Sequence, residues 1–91
     1  MNYEKIYLVE AACENTEESR NVYFRLAFRK QSEAREEYRE QVRAAQREIR
    51  ENFDETEFSE RENAAFTSFE AESYGGEYIY SVDIREIKLV Y

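Results

Sequence analysis

A chain of 91 residues with two glycines, no proline and 42% apolar residues is expected to fold as one domain, residues 1–91. A single cysteine, Cys13, excludes an internal disulfide and a four-cysteine zinc site, and the absence of histidine removes the usual base at neutral pH and the commonest metal ligand. Twenty-one acids against thirteen bases leave −8, a charge that repels bare nucleic acid and anionic membrane and is attracted to basic protein surfaces.

In chain order, Lys5 to Cys13 alternates as a strand, with Tyr7, Val9, Ala11 and Cys13 on one face and Ile6, Leu8, Glu10 and Ala12 on the other. Both faces are partly apolar, which predicts a central strand or one whose second face meets a partner. Glu14 to Arg20 is a polar turn region. Val22, Phe24, Leu26 and Phe28 then alternate with Tyr23, Arg25, Ala27 and Arg29, the cleanest strand signal in the chain. Proximity in sequence pairs these two strands as an antiparallel hairpin.

A helix is predicted from Ser32 to Phe53. Ala34, Tyr38, Val42, Ala45, Ile49 and Phe53 form one narrow apolar stripe at helical spacing, Ser32 stands where an N-cap belongs, and Glu33, Glu36 and Glu37 occupy the turns where the helix dipole favours anions. Arg47 and Arg50 lie toward the opposite end, where cations are favoured. A stripe this thin needs a sheet to lie on. Asp54 to Asn63 reads as an acidic connection that Phe58 pins to the core.

The last third is a second hairpin. Gly75-Gly76 supplies the positive-φ pair of a type I′ turn, which sets the register: Ser73 opposite Tyr78, Ala71 opposite Tyr80, Phe69 opposite Val82, Thr67 opposite Ile84. The reverse face carries Ser68, Glu70, Glu72, Ile79, Ser81, Asp83 and Arg85 and is solvent-like. After Ile84 the apolar parity shifts to Ile87, Leu89 and Tyr91, as a bulge near Arg85-Glu86 or the strand's exit from the sheet would produce. The expected fold is therefore a two-layer α+β domain of order β-β-α-β-β, with a four-stranded, mainly antiparallel sheet and one long helix packed on one face.

Catalytic parts are lacking. Triads that need histidine are excluded, the two glycines belong to a turn and not to a phosphate loop, and Cys13 has no activating base beside it in the sequence. The Asp54-Glu55-Thr56-Glu57 run, with Glu60 and Glu62, holds oxygen ligands without the spacing or central glycine of a calcium loop and reads as a solvated acidic segment. The chain is accordingly expected not to be an enzyme and to need no cofactor and no metal. No apolar run is long enough to span a membrane, and the N-terminal residues carry no basic-then-apolar leader pattern, so a cytoplasmic location is expected.

Two surfaces are candidates for binding. On the helix, Arg35, Arg39, Arg43 and Arg47 recur every four residues as a basic ridge suited to phosphates, but the glutamates interleaved with them fit a salt-bridged solvent face. The helix nets only −1, leaving −7 for the Glu14–Glu18 turn, the Asp54–Glu62 segment and the outer face of the second hairpin. There Glu70 and Glu72 lie about 6.8 Å apart along a strand, with Asp83 on the partner strand, so rows of carboxylates would present a basic groove with something like a phosphate backbone. Asp54, Glu55, Glu57, Glu60, Glu62, Glu70, Glu72 and Asp83 make up this acidic face.

In format and charge the chain resembles the small acidic anti-defence proteins of phages and mobile elements, anti-CRISPR and DNA-mimic types among them. That resemblance implies an inhibitor that docks on the nucleic-acid-binding surface of a host protein. Two other expectations stay open. One is self-association through Ile6, Leu8, Ile79, Ile87, Leu89 and Tyr91, which would make a homodimer. The other is nucleic-acid binding through the arginine ridge and Tyr23, against which the net charge counts.

Overall fold

Alternation puts strands at both ends of the chain, and the 3.6-residue stripe between them puts one helix across their shared face. The computed structural model describes residues 2–15, 20–52, 56–62, 66–73 and 78–90. In order these form β1 (Tyr3–Asn15), β2 (Asn21–Phe28), α1 (Gln31–Asn52), β3 (Thr56–Glu62), β4 (Phe66–Ser73) and β5 (Tyr78–Val90). The architecture is α+β, one long helix on a five-stranded antiparallel sheet of order β2-β1-β5-β4-β3. The expected four strands become five because Thr56–Glu62, read from the sequence as a connection, pairs along its whole length with β4.

The hairpin register follows the sequence reading: Ala71 opposes Tyr80, Phe69 opposes Val82 and Thr67 opposes Ile84. Gly75-Gly76 and the Thr16–Ser19 part of the first turn lie outside the described residues. β1 is interior, flanked by β2 and β5, as its two partly apolar faces require. No bulge occurs at Arg85-Glu86. β5 pairs with β1 without interruption from Tyr78 to Val90, while its pairing with β4 ends at Arg85, so Ile87 and Leu89 continue on the helix-free face beside Ile6 and Glu4. The register shift falls instead in the β1–β2 pair, between Ala11 and Ala12. Beyond β2 and β4, Tyr3–Ile6 and Ile87–Val90 run on as a two-stranded ribbon, and the molecule is 51 Å long against 24 and 20 Å in the other directions.

The helix spans 22 residues and begins at Gln31, not after a Ser32 cap. The Lys30 carbonyl accepts the first intrahelical bond, from Ala34 N–H at 3.1 Å, which makes Lys30 the cap. At the other end the Asn52 side-chain amide donates to the Glu48 carbonyl at 2.7 Å, satisfying one of the carbonyls that a helix terminus leaves open. Phe53 lies outside the described residues.

Ala34, Tyr38, Ala45 and Ile49 are buried against Val9, Ala11, Phe69, Ala71, Val82 and Ile84. Four alanines in this cluster bring the helix backbone close to the sheet, and Tyr7, Phe24, Phe28, Phe58 and Tyr80 fill the margins. Phe58 belongs to a strand and not to a loop or helical turn: its ring lies 5.8 Å from that of Phe69, and the Arg50 guanidinium sits 4.7 Å above it. The Tyr38 hydroxyl donates to Glu60 Oε1 at 3.1 Å, tying the helix to the edge strand. Because Glu60 is exposed, Tyr38→Phe should cost no more than about 1 kcal/mol in a urea melt, while the ring itself stays packed.

Candidate functional site

Topology sorts the charge. Residues 53–77 hold eight acids against Arg61 alone and so carry −7 of the chain's −8. Residues 1–30 hold five acids and five bases, and residues 78–91 hold two of each. The polar first turn therefore contributes no net charge once β1 and β2 are counted with it. The sheet places β3 at one edge with β4 beside it, and these two strands hold Glu57, Glu60, Glu62, Glu70 and Glu72 against Arg61, so the described residues of that edge carry −4.

The acidic residues singled out in the sequence separate into groups. Glu70 is exposed and Glu72 half-buried, and the β3–β4 register sets Ser59 beside Glu70 and Glu57 beside Glu72. Glu62 pairs by register with Thr67. Glu60, exposed, meets Tyr38 of the helix, so it belongs to the helix-covered side and not to the face of Glu70. Asp54 and Glu55 lie outside the described residues. Asp83 shares a face with Glu70 and Glu72 but is not solvent-like: it is 8% exposed.

What covers Asp83 is a cluster that pattern reading did not assemble. Glu10, 4% exposed, opposes Asp83 across the β1–β5 ladder and Arg25 across the β1–β2 ladder. Arg25 Nε donates to Glu10 Oε2 at 2.8 Å and Arg20 Nη2 to Glu10 Oε1 at 3.0 Å. Arg85 lies 3.5 Å from Asp83 Oδ1 and 3.9 Å from Glu10 Oε1, and Arg20 lies 3.9 Å from Asp83 Oδ2. Burial by itself would raise the Glu10 pKa, but the hydrogen bonds and charges of Arg25 and Arg20 outweigh it and hold the carboxyl below its usual value of 4.5. Asp83 goes the other way. Burial and then the neighbouring Glu10 charge push it above 3.8, against the opposing pull of Arg85 and Arg20. The signal in the sequence was Glu10 itself, a lone carboxylate in the otherwise apolar run from Ile6 to Cys13. Its arginine partners come from two separate stretches, Arg20 and Arg25 from one and Arg85 from the other, and only the register brings them together. The arginines that meet it cross-link β2 and the residue before it to β1 and β5, so the cluster fastens the helix-free face.

On the helix, Arg39, Arg43 and Arg47 are exposed and Arg35 is half-buried. Arg35, Arg39 and Arg43 line a shallow groove of about 520 Å³ together with Ser32 and Glu36, and Arg43 is ion-paired with Glu40. The ridge exists as a surface, with carboxylates set among its cations. Of the apolar residues considered for self-association, Ile6, Leu8, Ile79 and Ile87 are half-buried and Leu89 is exposed, while Tyr91 lies outside the described residues.

Among the described residues no three acidic, cysteine or histidine side chains gather into a group that would hold a metal ion, and no helix is long and apolar enough to cross a membrane. Compared with protein-family models, with curated proteins and with solved structures, the chain matches none.

Proposed function

We propose that this protein is a non-catalytic binding protein that inhibits a host protein by docking its acidic β3–β4 edge on a basic, nucleic-acid-binding surface. The observation that carries this reading is that residues 53–77 hold −7 of the net −8 and that the strands described within this stretch, β3 and β4, bring five of its carboxylates against one arginine to one edge of the sheet. A one-sided field of this kind steers a basic partner into one orientation, whereas the same charge spread evenly would serve solubility alone. Glu70 and Glu72, with Glu57 beside Glu72 by register, stand on the helix-free side of that edge. Asp83, buried beside Arg20 and Arg85, has no part in steering.

Affinity capture from lysate of the source cells, washed at rising salt, tests the proposal. One predominant nucleic-acid-binding protein is expected to elute as salt rises, and Glu70→Gln with Glu72→Gln should weaken its retention by about tenfold and flatten the salt dependence. Both side chains are at least partly exposed, so the fold should survive the change. Undiminished retention by the double variant overturns the acidic-edge docking.

The two-stranded ribbon favours a second reading, self-association. It exposes Tyr3, Leu89 and Val90, at 58%, 44% and 57%, beside the half-buried Ile6 and Ile87. Sedimentation equilibrium separates the two: a dimer that Leu89→Lys dissociates supports this second reading, and a monomer at all concentrations removes it.

A further inference from the structure

Away from the acidic edge, an open cleft of about 350 Å³ lies between the helix and the β2–β1–β5 part of the sheet, lined by Cys13, Tyr23, Ala44, Ala45, Glu48 and Tyr80, with Tyr23 and Glu48 at its exposed rim. Its origin can be read residue by residue. Two consecutive alanines, Ala44 and Ala45, leave the helix short of side chain where Cys13 and Tyr80 stand opposite one another in the β1–β5 ladder. The third wall comes from the register shift. Ala11 opposes Phe24 and Ala12 opposes Val22, so the ladder skips Tyr23, and this bulge residue lines the cavity. Bulges re-aim a side chain, which is how a residue of an edge strand reaches this wall.

The lining has a definite chemical character. Its apolar part is two alanine methyls and two phenol rings, and its polar part is a thiol, two hydroxyls and one carboxylate. Among the described residues no lysine or arginine lines it, and the formal charge they place there, on the exposed Glu48, is negative. The phenols respond to the same field. Burial first, then Cys13 and Glu48, push Tyr80 up to about 12, and burial, Cys13 and Glu48 raise Tyr23 as well. Both phenols therefore stay neutral at physiological pH, with their rings turned to the cleft and the Tyr80 hydroxyl already hydrogen-bonded with Cys13. The volume lies at the small end of ligand pockets, which suits a molecule with a single ring.

We propose that this cavity is a binding site for a small aromatic ammonium compound, its ring against Ala44 and Ala45 and its cationic nitrogen between the Glu48 carboxylate and the Tyr23 and Tyr80 rings. An anion would meet Glu48 without a compensating cation. A bare metal ion would find one carboxylate and one thiol, too few ligands for a stable site. A cation on an apolar body is stabilised both by the carboxylate and by the aromatic rings.

Phenethylammonium, neutral 2-phenylethanol and anionic 3-phenylpropionate share a ring and a chain and differ in charge, which makes them the probes. Titrated into the ¹⁵N-labelled full chain at pH 7, phenethylammonium should shift the amides of Cys13, Tyr23, Ala44, Glu48 and Tyr80. It should bind about fivefold or more tightly than the alcohol, with the carboxylate weaker than both. Glu48→Gln should bring phenethylammonium closer to the affinity of the alcohol, the remaining difference being the share of the Tyr23 and Tyr80 rings, and leave the alcohol unchanged. Saturating phenethylammonium should also slow alkylation of Cys13 by iodoacetamide. Equal affinity for the three probes, shifts confined to other parts of the chain, or an ammonium affinity that Glu48→Gln does not alter would each overturn the assignment. None of these readouts depends on the acidic edge.

Discussion

Ile49→Ala is expected to destabilise the protein by about 2–5 kcal/mol, more than any single change on its surface. Ile49 is 0% exposed and, with Val9 and Val82, one of the largest side chains to be wholly buried. The residues around it explain the size of the loss. Ala11, Ala34, Ala45 and Ala71 supply only methyl groups to the same cluster, so little neighbouring side chain can swing into the space that the truncation opens. A domain of this size has a total stability of about 5–15 kcal/mol, so the change removes a large share of it. Urea unfolding followed by circular dichroism at 222 nm measures the effect. The midpoint should fall with the slope unchanged, and Arg47→Ala, on the exposed side of the same helix, should stay within about 0.5 kcal/mol of the parent. A loss below about 1 kcal/mol for Ile49→Ala would mean that the helix does not seat on the sheet through this stripe.

The elements that bury a patterned face were legible in the sequence, and the one that does not was missed. From Thr67 to Ala71 and from Tyr80 to Ile84 every second residue goes under the helix, so alternation and the turn expected at Gly75-Gly76 were enough to give the register from Thr67 opposite Ile84 to Ala71 opposite Tyr80. The helix was legible for the same reason, from Ala34, Tyr38, Val42, Ala45 and Ile49. β3 offers only Phe58 as a large apolar residue within Thr-Glu-Phe-Ser-Glu-Arg-Glu, a composition poor in strand formers. It lies at the sheet edge, where backbone pairing with β4 holds it and little side-chain burial is required. Charge on such a strand also discourages unwanted pairing with other chains. Polar residues that read as a loop in isolation are thus what an edge strand is made of.

The candidate surfaces were legible as composition but not as geometry. Counting acids finds the charge, and only the strand order shows that Glu57, Glu60, Glu62, Glu70 and Glu72 come to one edge on β3 and β4. Parity alone put Asp83 in a row with Glu70 and Glu72, and parity does place the three on one face. It carries no information about what crosses over them. Arg20 and Arg25 reach Glu10 from the neighbouring strand and from the residue before it, and Arg85 lies beside Asp83, contacts that separate a buried carboxylate from two accessible ones. The cavity at Cys13 was invisible for a related reason, since Tyr23 lines it only because the ladder skips a residue at Ala11/Ala12.

Glu10 and Asp83 should contribute to stability with opposite signs, and single substitutions at the two should differ accordingly. Glu10 is depressed below 4.5, so its contribution is fully present above the pKa of the unfolded chain and is lost as pH falls through its lower folded value. Asp83 is raised above 3.8, so its ionised form costs stability at neutral pH, and that cost is relieved as pH falls through the raised value. Glu10→Gln removes a carboxylate that accepts two charged hydrogen bonds and should destabilise by about 1–3 kcal/mol at pH 7, discounted because the arginines it leaves behind are partly exposed and can turn to water. Asp83→Asn keeps the shape and removes the repulsion from Glu10, so it should cost clearly less than Glu10→Gln and can be neutral. Denaturant melts between pH 7 and pH 3 provide the test. The parent should hold its stability, or gain slightly, as Asp83 takes up its proton, and then fall as Glu10 does. Asp83→Asn should lose the plateau and keep the fall, and Glu10→Gln should keep little of the fall. In a double-mutant cycle the two sites should couple, because each carboxylate sets the electrostatic cost of the other. A cycle with no coupling, or an Asp83→Asn penalty larger than that of Glu10→Gln, would mean that the arginines hold Asp83 as their principal partner and that Glu10 is the carboxylate under strain.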